Sequence, residues 1–234
     1  MTKTERLYEG KAKILWATDD PAYVVQEFKD DATAFDGTKH AVIAGKGRLN
    51  NAISSRLFEL LRAEGIRTHF VRKLSEREML VERLAMLPIE VVVRNVAAGS
   101  LVKRLGIVEG TAFDPPIVEF YLKNDALHDP MLTEEHIRAM SLAPVARVTE
   151  TRRIALAVNA ALRSFLRARN VALVDFKLEF GMKGDDLVLG DEISPDTCRF
   201  HDVRTGEVLD KDRFRRDLPG FIEAYREILA RISS

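Results

Sequence analysis

The stretch from Val171 to Asp196, VALVDFKLEFGMKGDDLVLGDEISPD, admits few folds. Val174, Phe176, Leu178 and Phe180 are apolar, and Asp175, Lys177 and Glu179 stand between them. Alternation with a period of two marks a strand whose side chains point to opposite faces. Lys183-Gly184-Asp185-Asp186 supplies a turn, and Leu187 to Ile193 reads as the returning strand. A three-residue loop, Gly184 to Asp186, sets Glu179 directly across from Asp191 on the charged face. Like charges so placed destabilise a hairpin. A divalent cation reverses that sign, and Mg²⁺ is typically held by one or two carboxylates plus substrate phosphates. Lys177, one pleat away, is placed for the same anionic ligand. The pattern leaves a second reading open, in which the face is solvated and its acids point into water.

The rest of the chain narrows the class. Its 234 residues suffice for one large domain or two small ones. Lys plus Arg number 36 and Asp plus Glu number 36, so no basic excess favours a nucleic-acid surface. The single Cys198 cannot close an internal disulfide, which fits a reducing cytoplasm. The opening MTKTERLYEGKAK lacks an apolar signal region, and no uncharged run approaches the roughly 20 residues of a membrane span. There is no internal repeat. The expectation is a soluble, cytoplasmic α+β protein with neither nucleic acid nor membrane as partner.

Local pattern predicts strands at 7–16, 23–29, 67–73 and 78–83, with Asp19-Asp20-Pro21 as the first turn. A helix follows Lys46-Gly47-Arg48, burying Leu49, Ile53, Leu57, Leu60 and Leu61 and stopping near Gly65. Ile89 to Val93 reads as a buried strand. Ser100 opens a short helix ending at Gly106, Asp114-Pro115-Pro116 breaks the chain, and Val118 to Leu122 is a short strand. Thr133 caps a helix with Glu134 and Glu135 in its first turn. A long helix runs from about Val148 to Arg169, and Asn170 ends it in the left-handed region. A last helix covers about Asp212 to Ile232, interrupted near Pro219-Gly220. Leu87-Pro88 suggests a boundary between a strand-rich lobe, 1–85, and a larger α/β lobe, 86–234; ligands favour such clefts.

Three further segments carry chemical potential. Arg94 ends the buried strand and leads through Ala97, Ala98 and Gly99 to Ser100 at a helix start. That combination makes an anion site with a bidentate arginine, or else ordinary capping beside a surface arginine. Lys11 and Lys13 in LYEGKAK share a strand face; they either lie along a nucleotide's phosphates or are solvated on an edge strand. The segment lacks the glycine spacing of a Walker A loop. Lys123 to Pro130, KNDALHDP, packs polar groups into one loop, with His128 and Asp129 as acid–base candidates. Asp191 to Arg199 turns back and returns Arg199 toward the charged face. No Cys/His metal spacing, nucleophile elbow or dinucleotide fingerprint is present.

Together LYEGKAK at 7–13, GKGRLNN at 45–51, VVVRNVAAGSLVKRLG at 91–106, KNDALHDP at 123–130, VDFKLEFG at 174–181, LGDEISPDTCRFHD at 189–202 and DKDRFRRDLPGFIEAY at 210–225 resemble one family. That family is phosphoribosylaminoimidazole-succinocarboxamide synthase, also called SAICAR synthetase. His201 departs from it, since a bulky aromatic is expected there, and Phe35 beside Asp36 stands in a variable segment. The resemblance implies a two-lobed α+β fold related to ATP-grasp and kinase-like folds. It implies an ATP-dependent ligase of purine biosynthesis that joins L-aspartate to carboxyaminoimidazole ribonucleotide (CAIR), through an acyl phosphate, as a homodimer. By the same resemblance Lys11, Ala12, Lys13, Val81, Met86 and Lys123 bind ATP, and Glu179 and Asp191 hold Mg²⁺. Arg94, Ser100, Asp175, Lys177 and Arg199 bind the ribotide. Lys177 serves the chemistry, and Asp129 orients a substrate or the incoming amine. Two rivals remain: another ATP-dependent phosphotransferase, which would lack the Arg94/Ser100/Arg199 pocket, and a non-catalytic nucleotide-binding protein, which would have lost a metal carboxylate or Lys177.

Overall fold

Two large antiparallel sheets hold all but two of the strands among the described residues, and the chain crosses from one to the other at Arg83-Leu84. The computed structural model describes residues 1–35 and 37–234, so Asp36 lies outside the described residues. The first part contains β1 (Lys3–Glu9), β2 (Lys13–Thr18), β3 (Tyr23–Phe28), β4 (Asp31–Ala34), β5 (Lys39–Val42), α1 (Lys46–Ala63), β6 (Phe70–Lys73) and β7 (Glu78–Glu82). Their main sheet has the order β1-β2-β3-β7-β6, with β4 and β5 as a separate hairpin. The second part contains β8 (Ala85–Val96), α2 (Ser100–Leu105), β9 (Ala112–Leu122), β10 (Met131–Leu132), α3 (Glu134–Ala139) and α4 (Val145–Arg167). It continues with β11 (Val171–Lys183), β12 (Asp186–Leu189), β13 (Cys198–Asp202), α5 (Asp212–Arg215) and α6 (Phe221–Ser233). Its sheet runs β10-β9-β8-β11-β12, and β13 pairs with the early part of β11.

The two sheets are stitched where β6 approaches β12. His69 N donates to Leu189 O at 2.8 Å and Leu189 N to Arg67 O at 3.2 Å. One apolar core spans both. Helix α1 contributes Ile53, Leu57 and Leu61, α4 contributes Val158, Leu162 and Leu166, and β11 contributes Phe176, Leu178 and Phe180. Burial of each such side chain is worth about 1.5–3 kcal/mol, so this interior fixes the sheet on which the charged residues sit.

Several boundaries differ from expectation, each for a local reason. Residues 7–16 form two strands, because Gly10 N donates to Lys13 O at 2.9 Å and closes a turn over Gly10–Ala12. Pro88 lies inside β8 rather than between elements. The β8–β11 ladder slips between Glu179 and Gly181, so the proline, which has no N–H, sits where none is needed. Pro115 and Pro116 lie within β9, where the β8–β9 ladder slips between Arg94 and Val96. The hairpin after β11 has a two-residue loop, Gly184-Asp185, with Lys183 paired to Asp186 and Phe180 to Leu189. Glu179 is therefore not directly across from Asp191; its carbonyl accepts from Gly190 N at 2.9 Å. Asp191 follows the end of β12 with φ of 60°.

Candidate active site

The three central strands of the second sheet set the functional side chains out in rows. Asp175, Lys177 and Glu179 of β11 pair with Arg94, Val92 and Glu90 of β8, and those pair with Ile117, Glu119 and Tyr121 of β9. Directly paired residues share a face, so all nine lie on one side of the sheet. The solvated reading of that face does not hold: Asp175, Glu179 and Arg94 are all buried.

Lys177 is the hub of the face. Its Nζ lies 2.5 Å from Glu179 Oε1, 3.2 Å from Asp191 Oδ2 and 3.2 Å from Glu90 Oε1. Burial alone would lower its proton affinity, but Asp191, Glu179 and Glu90 outweigh that and hold it charged, well above the ordinary lysine range. Two oxygens 2.5 and 3.2 Å from one nitrogen are at most about 6 Å apart, so Glu179 and Asp191 converge despite the shifted register. Lys13 donates to Asp191 and lies 3.2 Å from Glu192 Oε1, while Lys123 donates to Glu179. Burial would raise the Asp191 carboxyl, but Lys13, Lys177 and Lys123 hold it far below the usual carboxylate range.

On either side of this hub lies a cavity, of about 190 and 180 Å³. The first lies between the sheets. Its walls include Leu15, Val24, Val81, Leu84 and Met86, and its polar end holds Lys13, Lys123, Glu179 and Asp191. Apolar walls of this kind suit a flat aromatic base, and the lysines suit phosphates. His69 also lines it; burial pushes its imidazole down to about 3, against the pull of Asp191, so the ring is neutral.

The second cavity is lined by Arg94, Ser100, Asp175, Lys177, Arg199 and Arg215. Arg94 is no surface arginine. Its Nε donates to Glu119 at 2.6 Å, one terminal nitrogen to Asp175 at 3.0 Å, and the other to Tyr121 Oη at 3.2 Å and Ser100 Oγ at 3.5 Å. Arg199 donates to both oxygens of Asp175, at 3.0 and 2.8 Å, and through Nε to Asp212 at 2.9 Å. The planar guanidinium is pre-organised for such forks. Gly99 is required beside it: φ is +59°, and a Cβ there would lie 2.5 Å from an Arg199 nitrogen.

Not every expected residue reaches these cavities. Lys11 pairs with Asp125 at 2.9 Å, and the Ala12 carbonyl accepts from Lys29 N at 2.8 Å; neither is among the residues lining these two cavities. Asp129 closes its own loop by accepting from Asn124 N at 2.7 Å, with φ of 46°. Conversely, Glu90, Glu119, Glu192 and Arg215 escaped sequence reasoning. Glu90 was hidden in an apolar run, although one acid among valines on a central strand is itself a signal. Its proton affinity is raised by burial and by Glu179, against the pull of Lys177.

Comparison with known proteins gives one answer. Residues 6–232 match the family model described as SAICAR synthetase. A phosphoribosylaminoimidazole-succinocarboxamide synthase of Persephonella marina is 59% identical over 232 residues, 99% of this chain and 98% of that protein. The crystal structure of the enzyme of that name from Ehrlichia chaffeensis is 48% identical, with a TM-score of 0.96 over 98% of each chain. A SAICAR synthetase solved in complex with ADP is 51% identical, with a TM-score of 0.94 over 97% of each chain.

Proposed function

The chain belongs to the SAICAR synthetase family, and on that premise we propose how its two cavities divide the substrates. It is an ATP-dependent ligase of purine biosynthesis that joins L-aspartate to CAIR, giving SAICAR, ADP and phosphate. Its fold is the α+β fold of SAICAR synthetases. The first cavity takes ATP, with adenine between Val81 and Met86 and phosphates toward Lys13 and Lys123. The second takes the ribotide phosphate, with Arg94, Ser100 and Arg199 as donors and Asp175 fixing both arginines. Residues 1–85 then act as the nucleotide lobe, and 86–234 carry the metal and ribotide sites.

The observation that carries this division is Lys177. It lines the second cavity while its ammonium touches two acids that line the first. A carboxylate is a poor electrophile, and its charge repels the γ-phosphate. A fixed cation between the two anions lowers that barrier. The ribotide carboxylate attacks the γ-phosphorus, ADP leaves, and the aspartate amine then displaces phosphate from the acyl phosphate.

Glu179 and Asp191 fit Mg²⁺. They are buried hard oxygen donors whose charge lysine ammoniums balance in the structure, and two carboxylates are what a cation shared with substrate phosphates needs. Among the described residues no cluster of three or more His, Cys, Asp or Glu forms a closed metal cage. The cation, when bound, neutralises phosphate charge. Lys13, Lys123 and Lys177 then orient the phosphates and the ribotide carboxylate.

The reading is tested by ADP release with ATP, Mg²⁺ and CAIR, with and without L-aspartate. Sustained release is expected only with L-aspartate, preceded without it by a burst no larger than one ADP per site. A CAIR-dependent burst supports the acyl phosphate, and sustained ADP release without L-aspartate overturns the reading. Cytoplasmic location and a homodimer belong to the same proposal. The single cysteine, buried Cys198, fits the first, and the second rests on the family resemblance alone. Sedimentation measures the oligomer. No helix among the described residues is long and apolar enough to cross a membrane.

A further inference from the structure

We infer that Glu90 is the positioning residue of Lys177, holding its ammonium between the cavities once nucleotide and metal have engaged Glu179 and Asp191. The inference rests on the metal and nucleotide reading above. An ammonium has three N–H donors; here it donates to Glu179 and Glu90 and forms an ion pair with Asp191, 3.2 Å away. Two of these are the acids assigned to the cation. A carboxylate whose charge is shared with a metal holds an ammonium less strongly, so two of Lys177's three partners would loosen once the site is filled. Glu90 is the partner that stays. It stands on β8, one residue pair from Lys177, and its side chain is 18% exposed. A lysine stem is flexible; one fixed acceptor at 3.2 Å keeps the charge at the seam.

Glu90 is not explained by the sheet. It pairs directly with Glu179 across β8 and β11, an arrangement of like charges that costs stability. Neither cavity counts it among its lining residues. It therefore touches neither proposed substrate, and its effect passes through Lys177.

The test is a double-mutant cycle of Glu90→Gln and Lys177→Met in the full chain. Glu90→Gln should lower kcat roughly tenfold or more while KM for ATP and for CAIR stay unchanged. In the Lys177→Met background the same substitution should cost nothing further, because the residue it positions is gone. Calorimetry of Mg·ADP binding should give the wild-type affinity for Glu90→Gln, and its Tm should not fall. Equal losses in both backgrounds overturn the inference, as does full turnover in Glu90→Gln. Weakened Mg·ADP binding also overturns it, by making Glu90 a metal ligand. Glu179→Gln is measured alongside: if it leaves the Mg²⁺ dependence of ADP binding intact, the metal reading fails, whatever the cycle shows.

Discussion

The two cavities solve opposite problems with similar charges. At the polar end of the first, flexible lysines reach into a cluster of acids, Glu179, Asp191 and Glu192. In the second, rigid arginines are locked by acids behind them, Arg94 by Glu119 and Asp175, Arg199 by Asp175 and Asp212. Lysine pairs can rearrange when a cation and phosphates arrive. Arginine forks present one geometry and keep it. The first region is thus built to exchange partners and the second to stay fixed, and Lys177 belongs to both.

The sharpest way to break this contrast is at the seam. Lys177→Met keeps the apolar stem and removes the charge. It should lower kcat at saturating substrates by on the order of a hundredfold or more, with little change in Tm. Normal turnover with only weakened ribotide binding would assign Lys177 to the second cavity alone.

Arg94→Ala probes the fixed region. KM for CAIR should rise roughly ten- to a hundredfold, and far more than KM for ATP. Because Asp175 keeps Arg199 and Glu119 keeps Arg104, stability should fall only by about 1–3 kcal/mol in denaturant unfolding. Ser100→Ala removes only the hydroxyl and should raise KM for CAIR with stability unchanged. Equal effects on both substrates would mean the cavities are not separate.

Lys123→Met probes the exchangeable region. Its side chain is nearly half exposed, so KM for ATP should rise only several-fold, with KM for CAIR and Tm close to wild type. A loss of stability as large as that of Arg94→Ala would erase the distinction between the regions.

The smallest effect is one of pH, and the two regions should differ in sign. Asp191 is held low by its lysines after burial is overcome, so its stabilisation is present above the unfolded carboxyl range and is lost only in strong acid. Asp210 lies behind Arg199, accepting from Phe200 N at 2.8 Å and Asp212 N at 2.7 Å. Burial, then the charge of Asp212, push its carboxyl up to about 7. It binds its proton more tightly folded than unfolded, so its contribution falls as pH rises from about 4 toward 7. Relative to Asp210→Asn, the wild type should gain a few degrees in Tm as pH is lowered from about 8 to 5. A constant difference would place Asp210 among ordinary exposed acids.

The fixed region was the more legible in sequence. Asp175, Lys177 and Glu179 alternate with phenylalanine and leucine, and that period survives in β11 because α4 covers the apolar face. Arg94, Ser100 and Arg199 come together as their spacing and family resemblance suggested. What hid was non-local. One of the two acids that lock Arg94, Glu119, comes from β9, an element read as short because two prolines fall where its ladder slips. Turn counting missed the hairpin register by one residue, since Gly184-Asp185 closes it in two. Glu179 and Asp191 still meet, because Asp191 leaves the strand with positive φ.

That a single strand carries Asp175, Lys177 and Glu179 has a consequence for length. A strand advances about 3.3 Å per residue, so on the proposed division of substrates β11 would act as a ruler with one substrate at either end. The separation between phosphoryl donor and acceptor would then be set largely by the backbone of this strand. Adding two residues between Asp175 and Glu179 would keep every side chain on its own face yet lengthen the ruler by about 6.6 Å. Both substrates would then still bind, each in its own cavity, and never meet.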